Sequence, residues 1–251
     1  VEPLAHSVNN FNGVVIDPAQ LPADPTEFRA RLDASLLDWR REGRQVVWME
    51  TPIERAALIP VAVEAGFGFH HSQDGYLMLT LRLQDGAFVP FYATHYIGAG
   101  GVVVNDRREI LVVCERYRRS NRPYYKLPGG ALLPGEHLVD GVIREVREET
   151  GVETRFEALA CLRHWHGYRY GKSDIYFVCR LSPLSQEIQR DEREIEDCKW
   201  MPVAEYMQSE SVGLFNRRIV RAALENPGLS SVWVEGYRDP TTHEFFFPRA
   251  K

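Results

Sequence analysis

The sequence has no basic excess: 30 Lys and Arg stand against 35 Asp and Glu, a formal charge of −5 over 251 residues. Proteins that track long nucleic acids work by neutralising backbone phosphates, so extended DNA or RNA is excluded as a first partner. No stretch approaches the roughly 20 apolar residues that a bilayer span needs. The first ten residues, VEPLAHSVNN, hold neither the basic nor the apolar segment of a secretory signal. No membrane contact is expected, and a transit peptide cleaved upstream of Val1 remains compatible with that. Cysteine is sparse: Cys114, Cys161, Cys179 and Cys198 are scattered, with no C-x-x-C pair. A chain of this length buries a core without staples, so the four are expected to be reduced thiols in a cytoplasmic protein. Internal repeats and low-complexity segments are also missing, which excludes solenoids and disordered tails.

What is present is the composition of an ordinary globular protein, 44% hydrophobic and 26% charged, long enough for two modest domains. The first third reads as a small α/β domain over residues 1–92. A short apolar run, Val14 to Ile16, comes first. Asp24 and Pro25 then form an N-cap and first-turn pair ahead of a helix with Phe28, Leu32, Leu36 and Trp39 on one face, ended by Gly43. Gln45 to Met49 reads as a strand, Thr51, Pro52 and Glu54 as a capping box for a second helix that Pro60 kinks before Gly66, and Tyr76 to Leu83 as another strand. The stretch Gln84 to His95 is the connection. The second domain, 93–251, opens with an expected hairpin of Ile97 to Val104 and Ile110 to Val113. Further strands are expected at Phe156 to Trp165, Ser173 to Leu181 and Asp197 to Met201, and a late helix at Arg217 to Leu224.

The chemistry concentrates at residues 130–152, GALLPGEHLVDGVIREVREETGV. Its second half has helical periodicity and stops at Gly151, a left-handed C′ residue. Advancing about 100° per residue from Leu138, the residues Leu138, Val139, Val142, Ile143 and Val146 fill one apolar face. Glu145, Glu148 and Glu149 gather on a neighbouring arc with Gly141 among them, where the missing side chain is expected to let a ligand approach the backbone. An ion pair of Arg144 with Glu148 at i,i+4 fits an ordinary solvated face. The like charges one turn apart do not, since each such pair costs roughly 0.2–0.5 kcal/mol on a bare helix. Clustered carboxylates call for a hard divalent cation, and Mg²⁺ binds through few carboxylates together with phosphate oxygens and water. Gly129, Gly130, Pro134 and Gly135 supply a sharply turning loop ahead of the helix.

This segment resembles the Nudix box, G-x5-E-x7-R-E-U-x-E-E-x-G-U with U aliphatic, at every specified position: Gly130, Glu136, Arg144, Glu145, Val146, Glu148, Glu149, Gly151 and Val152. A chance full match in a chain this long has a probability on the order of 10⁻⁷ from average residue usage. The resemblance implies an α/β/α sandwich with a mixed sheet and Mg²⁺ or Mn²⁺ as cofactor. It also implies metal ligation by Glu145, Glu148 and Glu149 with a backbone carbonyl at Gly129 or Gly130, and a helix and loop oriented by Arg144 and Glu136, with Gly130, Glu136 and Gly151 structural in the motif. Glu148, Glu145, Arg144 and Glu194 are the expected catalytic set. VEAGFGFHHS, IGAGGVVVN, Lys172 to Asp174 and Lys199 to Pro202 are similar to a two-domain subgroup that includes plant ADP-ribose/NADH pyrophosphatases and an animal protein encoded antisense to a fibroblast growth factor gene. In that subgroup the first domain is GNAT-like without acetyl transfer, and residues 1–92 indeed lack a Q/R-x-x-G-x-G/A loop for acetyl-CoA.

The substrate so implied is a nucleoside diphosphate linked to another group, ADP-ribose or NADH first, with dinucleoside polyphosphates as the alternative and a non-catalytic nucleotide-binding role as the rival of another class. Arg116, Arg118 and Lys126, from a basic run that also holds Arg119 and Arg122, and Tyr168, with Tyr170 a second aromatic, are the candidate substrate contacts. Basic runs in loops are more often simply solvated. Glu194, six residues before Trp200, is where family members often place a further acid; Glu192 and Glu196 rival it in the run DEREIED. His164 and His166 alternate on a strand, but a zinc site needs third and fourth ligands that the sequence does not nominate. The extra domain offers surface for a homodimer.

Overall fold

The computed structural model describes residues 1–118 and 122–248. Two compact units divide the chain, Val1–Ala93 and Thr94–Lys251. The first is a five-stranded sheet in the order β1-β2-β3-β5-β4, made of β1 (His6–Val8), β2 (Val14–Ile16), β3 (Val46–Pro52), β4 (Gly68–Gln73) and β5 (Tyr76–Arg82), with helices α1 (Pro25–Arg41) and α2 (Ile59–Glu64). Asp24 caps α1 by accepting from the Glu27 N–H at 2.7 Å, and Phe28, Leu32, Leu36 and Trp39 are buried against Val47 and Met49 of the sheet. That face is the one the sequence periodicity marks. The capping box at Thr51 does not form. Strand β3 runs on to Pro52, the Thr51 hydroxyl is buried with no hydrogen-bond partner among the described residues, and Ile53–Leu58 is a 3₁₀ turn. Pro60 lies in the first turn of α2, where its missing N–H costs nothing, so it starts a helix instead of kinking one. Strands β1 and β4, the latter joined to β5 across Asp74-Gly75, have too little alternation to be foreseen.

The second unit carries β6 (His95–Val103), β7 (Glu109–Glu115), β8 (Tyr125–Lys126), β9 (Gly129–Ala131), α3 (Leu138–Thr150), β10 (Thr154–Trp165), β11 (Ser173–Pro183), β12 (Ile195–Pro202), α4 (Val203–Gln208), α5 (Leu214–Glu225), β13 (Leu229–Val232) and β14 (Phe245–Pro248). Six strands form one mixed sheet, β14-β13-β10-β11-β6-β9, and three form another, β12-β7-β8. Side chains alternate across each strand. On β6 and β7, Ala99, Val103, Leu111 and Val113 join the core that holds Leu138, Val142 and Val146 of α3. Val102, Ile110 and Val112 join the opposite core with Tyr206 of α4 and Ile219, Val220 and Ala223 of α5. Helices therefore cover both faces, which is the α/β/α sandwich with a mixed sheet. No helix among the described residues is long and apolar enough to cross a membrane.

The expected β6-β7 hairpin is replaced by a divergence. A turn does form between them, with Asn105 accepting from the N–H groups of Arg107 and Glu109 at 3.0 Å, but beyond one bridge between Val104 and Ile110 the strands separate into different sheets. Both strands are buried on two faces, so each must satisfy both edges with other neighbours: β6 takes β11 in parallel and β9 antiparallel, and β7 takes β12 and β8. That divergence carries β9 beside α3.

Candidate active site

Helix α3 begins at Leu138 and ends where Gly151, at φ +73°, turns left-handed. Its apolar face is fully buried at Val142 and Val146, which fixes the azimuth of the glutamates. Glu149 is buried, Glu145 half-buried and Glu148 exposed. With Asp191, Arg193 and Glu194 they line a cleft of about 320 Å³. Gly141, read as an opening for ligand, is filled instead: the Glu136 carboxylate and Leu132 occupy the space, and a Cβ there would lie 2.9 Å from Glu136 Oε2.

Strand β9 lies against two of these glutamates. The Glu149 carboxylate accepts from the Gly129 N–H at 2.8 Å, and a Cβ on Gly130 would overlap the Glu145 carboxylate, 2.7 Å from its Cδ. Gly129 itself, at φ +146°, is pressed so close to β6 that a Cβ would sit 2.5 Å from the Gly100 Cα. Burial pushes the Glu149 carboxyl up to about 7, against the pull of Lys126, and burial also raises Glu145. Lys126 pairs with Glu115 at 2.5 Å. Burial alone would lower its ammonium, and the facing carboxylates of Glu149 and Glu115 outweigh that and raise it.

Arg144 binds the cluster together. Its Nε and Nη2 donate to the two oxygens of Glu136 at 2.7 and 3.0 Å, and its Nη1 donates to Glu145 and to Glu148, both at 2.9 Å. Among the described residues no group of three or more His, Cys, Asp or Glu is drawn close enough to hold a metal ion, and the reason is visible here: the guanidinium stands between Glu145 and Glu148. The donor chemistry still fits a hard divalent cation. It is all carboxylate oxygen, one carboxylate is buried, and a glycine stands where any side chain would block the approach.

Next to the cleft, and sharing Glu115 with its extension under Tyr117 and Ile195, is a cavity of about 500 Å³ whose walls include Lys126, Gly129 and Gly130. Its far end is aromatic. Tyr96 and Tyr168 meet edge to face at 5.8 Å, and the Arg163 guanidinium lies over the rings of Trp165, Tyr176 and Phe215 at 5.3 to 5.5 Å while pairing with buried Asp174 at 2.5 Å. Arg163 Nε is buried with no partner among the described residues. Sequence reading nominated Tyr168 and Lys126 here but missed Glu115, Arg163, Tyr176 and Phe215. A usable signal was Asp174 in the Lys-Ser-Asp segment, an acid on a buried strand that needs a cationic partner.

The remaining nominations divide. Glu194 lines the cleft, whereas Glu192 faces Arg190 at 3.6 Å and Glu196 pairs with Arg118. Arg118 is therefore spent on Glu196 and on the backbone of Glu115, and Arg116 donates to the Glu192 carbonyl at 2.8 Å; neither lines the cleft or the cavity. Arg119 lies outside the described residues. Tyr170 is 89% exposed and packs on nothing in the cavity. His164 meets His95, not a metal cluster, with their Nε2 atoms 2.9 Å apart, and His166 bonds Ser173.

The family profile described as NUDIX domain matches residues 94–223, and that described as Nudix hydrolase domain matches residues 4–83. Nudix hydrolase 8 of Arabidopsis thaliana is 41% identical over 207 residues, covering 81% of this chain and 56% of the relative. Nudix hydrolase 2 of the same plant is 40% identical over 211 residues, covering 83% and 76%. Nucleoside diphosphate-linked moiety X motif 6 of Homo sapiens is 35% identical over 229 residues, covering 88% and 72%. The chain thus spans little more than half the length of the first of these.

Proposed function

The chain belongs to the Nudix hydrolase family, and on that premise we propose that it cleaves the phosphoanhydride bond of a nucleoside diphosphate linked to a second group, ADP-ribose or NADH first. The observation that carries this is the junction of two spaces: a carboxylate-rich cleft under α3, which also holds Arg193, and an aromatic cavity large enough for a nucleoside, meeting at Glu115 through the cleft's extension, with Gly129, Gly130 and Lys126 close by. The human relative's name points to the same substrate class.

Glu145, Glu148 and Glu149, with the backbone at Gly130, would hold Mg²⁺ or Mn²⁺. A bound divalent ion supplies an activated water and neutralises the diphosphate. The Nη1 contacts of Arg144 to Glu145 and Glu148 are what a cation competes with, while its bidentate hold on Glu136 keeps the loop against the helix. Lys126 places a positive charge between nucleoside and diphosphate. Glu194, which lines the cleft, is our candidate to take the proton of the attacking water. Water oxygen bonds to phosphorus, the bridging P–O bond breaks, and AMP leaves with a phosphorylated partner. Tyr96 and Tyr168 offer faces for the base.

A hydrolysis screen over ADP-ribose, NADH, FAD, coenzyme A and diadenosine polyphosphates, with Mg²⁺ or Mn²⁺ and with EDTA, tests the reading. Release of AMP from ADP-ribose or NADH, abolished by EDTA and by Glu148→Gln at an unchanged unfolding midpoint, is the expected result. Preference for a diadenosine polyphosphate would move the substrate, and tight binding without turnover of any compound would replace hydrolysis by a nucleotide-sensing role.

A further inference from the structure

The amide groups at the start of an α-helix have no intrahelical partner and need a cap. The residue placed to provide it for α3 is His137, in extended conformation at φ −70° and ψ 149°, and its side chain makes no capping bond. The cap comes from 106 residues away. Glu244 accepts from the Leu138 N–H through Oε2 at 2.9 Å and from the Val139 N–H through Oε1 at 3.2 Å, so one carboxylate closes two amides and sets a negative charge at the positive end of the helix. His137 is itself held, its Nε2 2.9 Å from the Pro240 carbonyl.

Glu244 immediately precedes β14 in the loop of a hairpin. Strands β13 and β14 pair from Leu229–Pro248 to Val232–Phe245 and extend the six-stranded sheet beyond β10. Phe246 and Leu229 pack into the core beneath α3, and the Asp239 carboxylate fixes the approach by accepting from the Thr241 N–H and hydroxyl at 2.9 and 2.7 Å. All of this lies past residue 223, where the NUDIX profile match stops. The hairpin is thus an addition to the matched domain that reaches back onto its central helix.

We propose that Glu244 is a positioning residue: through it the β13-β14 hairpin clasps the N-terminus of α3 and holds the glutamates in register with the Gly129-Gly130 strand. The inference rests on the reading that those glutamates carry the chemistry. The tolerance at the far end is small, because the Glu145 carboxylate already lies against Gly130, where a methyl group would displace it, and α3 transmits a shift of its first turn as a rod of about 1.5 Å per residue. A misplacement of about 1 Å at a reacting centre costs up to ~10²-fold in rate.

The test uses the full chain with Glu244→Ala, Glu244→Gln and the double variant Glu244→Ala/His137→Asp, in which an aspartate restores a local cap. In metal-free protein, amide exchange at Leu138 and Val139 is expected to quicken by about tenfold in Glu244→Ala and by less in Glu244→Gln, which keeps one acceptor. With ADP-ribose and Mg²⁺, kcat is expected to fall by about tenfold while KM stays within about twofold, since the substrate cavity is untouched. In the double variant the aspartate is expected to restore protection at Val139, whose N–H an N-cap side chain reaches, but not kcat, because the tie to the hairpin is still missing. Unchanged exchange at Leu138 and Val139, faster exchange with full kcat, or recovery of kcat in the double variant, which would make the cap and not the clasp the working part, would each overturn the proposal, and Glu244→Gln carries the same test if Glu244→Ala does not fold. A wild-type chain that hydrolyses none of the screened compounds would defeat the functional reading, while the exchange data would still decide whether the clasp exists.

Discussion

Arg144 and Glu136 face each other fork to fork, the guanidinium Nε and Nη2 each on one oxygen of the carboxylate. The Arg144 hydrogen bonds, more than the Leu133 N–H, hold Glu136 below its ordinary value of 4.5 against an opposing burial effect. Glu136→Gln removes the charge and one acceptor from a site only 14% exposed, and is expected to cost about 1–3 kcal/mol in urea unfolding at neutral pH. Because the folded value is depressed, the unfolded chain binds more protons as the solution acidifies. The advantage of Glu136 over glutamine is thus complete above pH 4.5 and is lost as pH falls through the folded value. Urea midpoints of the two proteins should differ at pH 7 and draw together as the pH is lowered progressively below 4.5; a constant gap would show that the pair contributes by shape and not by charge.

The thiols divide by burial. Burial pushes Cys179 and Cys198 up to about 12, and raises half-buried Cys161 as well. At pH 8 the thiolate of the first two is about 10⁻⁴ of the total, and only the thiolate reacts. Alkylation of native protein with iodoacetamide, followed by peptide mapping, should label Cys161 first and leave Cys179 and Cys198 unmodified until denaturant is added. Labelling of Cys179 as fast as Cys161 would mean that the β10-β11 core opens readily.

How much of this was legible in the chain depended on distance along it. Helix α1 with its Asp24 cap, and α3 with its buried stripe, its acidic arc and the Gly151 stop, are set by neighbours within one or two turns, and local chemistry is enough to read them. The Arg144 to Glu148 pair was visible for the same reason. What escaped depends on tertiary closure. Gly141 looked open because Glu136 is on the preceding loop, not on the helix wheel. The parallel pairing of β6 with β11 joins Gly98 to Tyr176 across 78 residues and leaves no mark of its own in either strand. Arg163, Asp174 and Glu244 are unremarkable charges until the sheet brings their partners to them. Within the basic run the sequence could not distinguish Lys126, turned toward the carboxylates, from Arg118, consumed by Glu196, because that choice is made by tertiary neighbours: Lys126 on β8 meets Glu115 of β7, and Arg118 in the loop after β7 meets Glu196 of β12.

Two glycine substitutions should separate activity from stability. In Gly130→Ala the new methyl meets the end of the Glu145 side chain, which can swing away. Stability should change by less than about 1 kcal/mol, while hydrolysis falls by roughly 10²-fold because a displaced ligand no longer meets the reacting centre. In Gly151→Ala the methyl meets the Gln189 backbone nitrogen at 2.9 Å from a residue held at φ +73°. Nothing there can yield, so unfolding should be eased by about 1–3 kcal/mol. Thermal midpoints and kcat of both variants decide the matter, and an equally active Gly130→Ala would mean that Glu145 is not needed where it stands.

The acid that takes the proton can be singled out among three neighbours. Glu194 opens into the cleft with Glu145, Glu148 and Glu149, whereas Glu192 and Glu196 are turned toward Arg190 and Arg118. Glu194→Gln keeps the volume and removes the proton acceptor, and kcat should fall by ~10²–10⁴-fold, the range for loss of a general base. Glu196→Gln breaks an exposed, solvent-screened ion pair and should leave kcat near the parent value, as should Glu192→Gln. Parallel kinetics on the three isosteric variants, with folding checked by circular dichroism, discriminate sharply because all three changes are chemically identical. If Glu196→Gln were the damaging one, the Arg118 pair would belong to the catalytic apparatus, and the proton would have to leave toward β12 instead of the cleft.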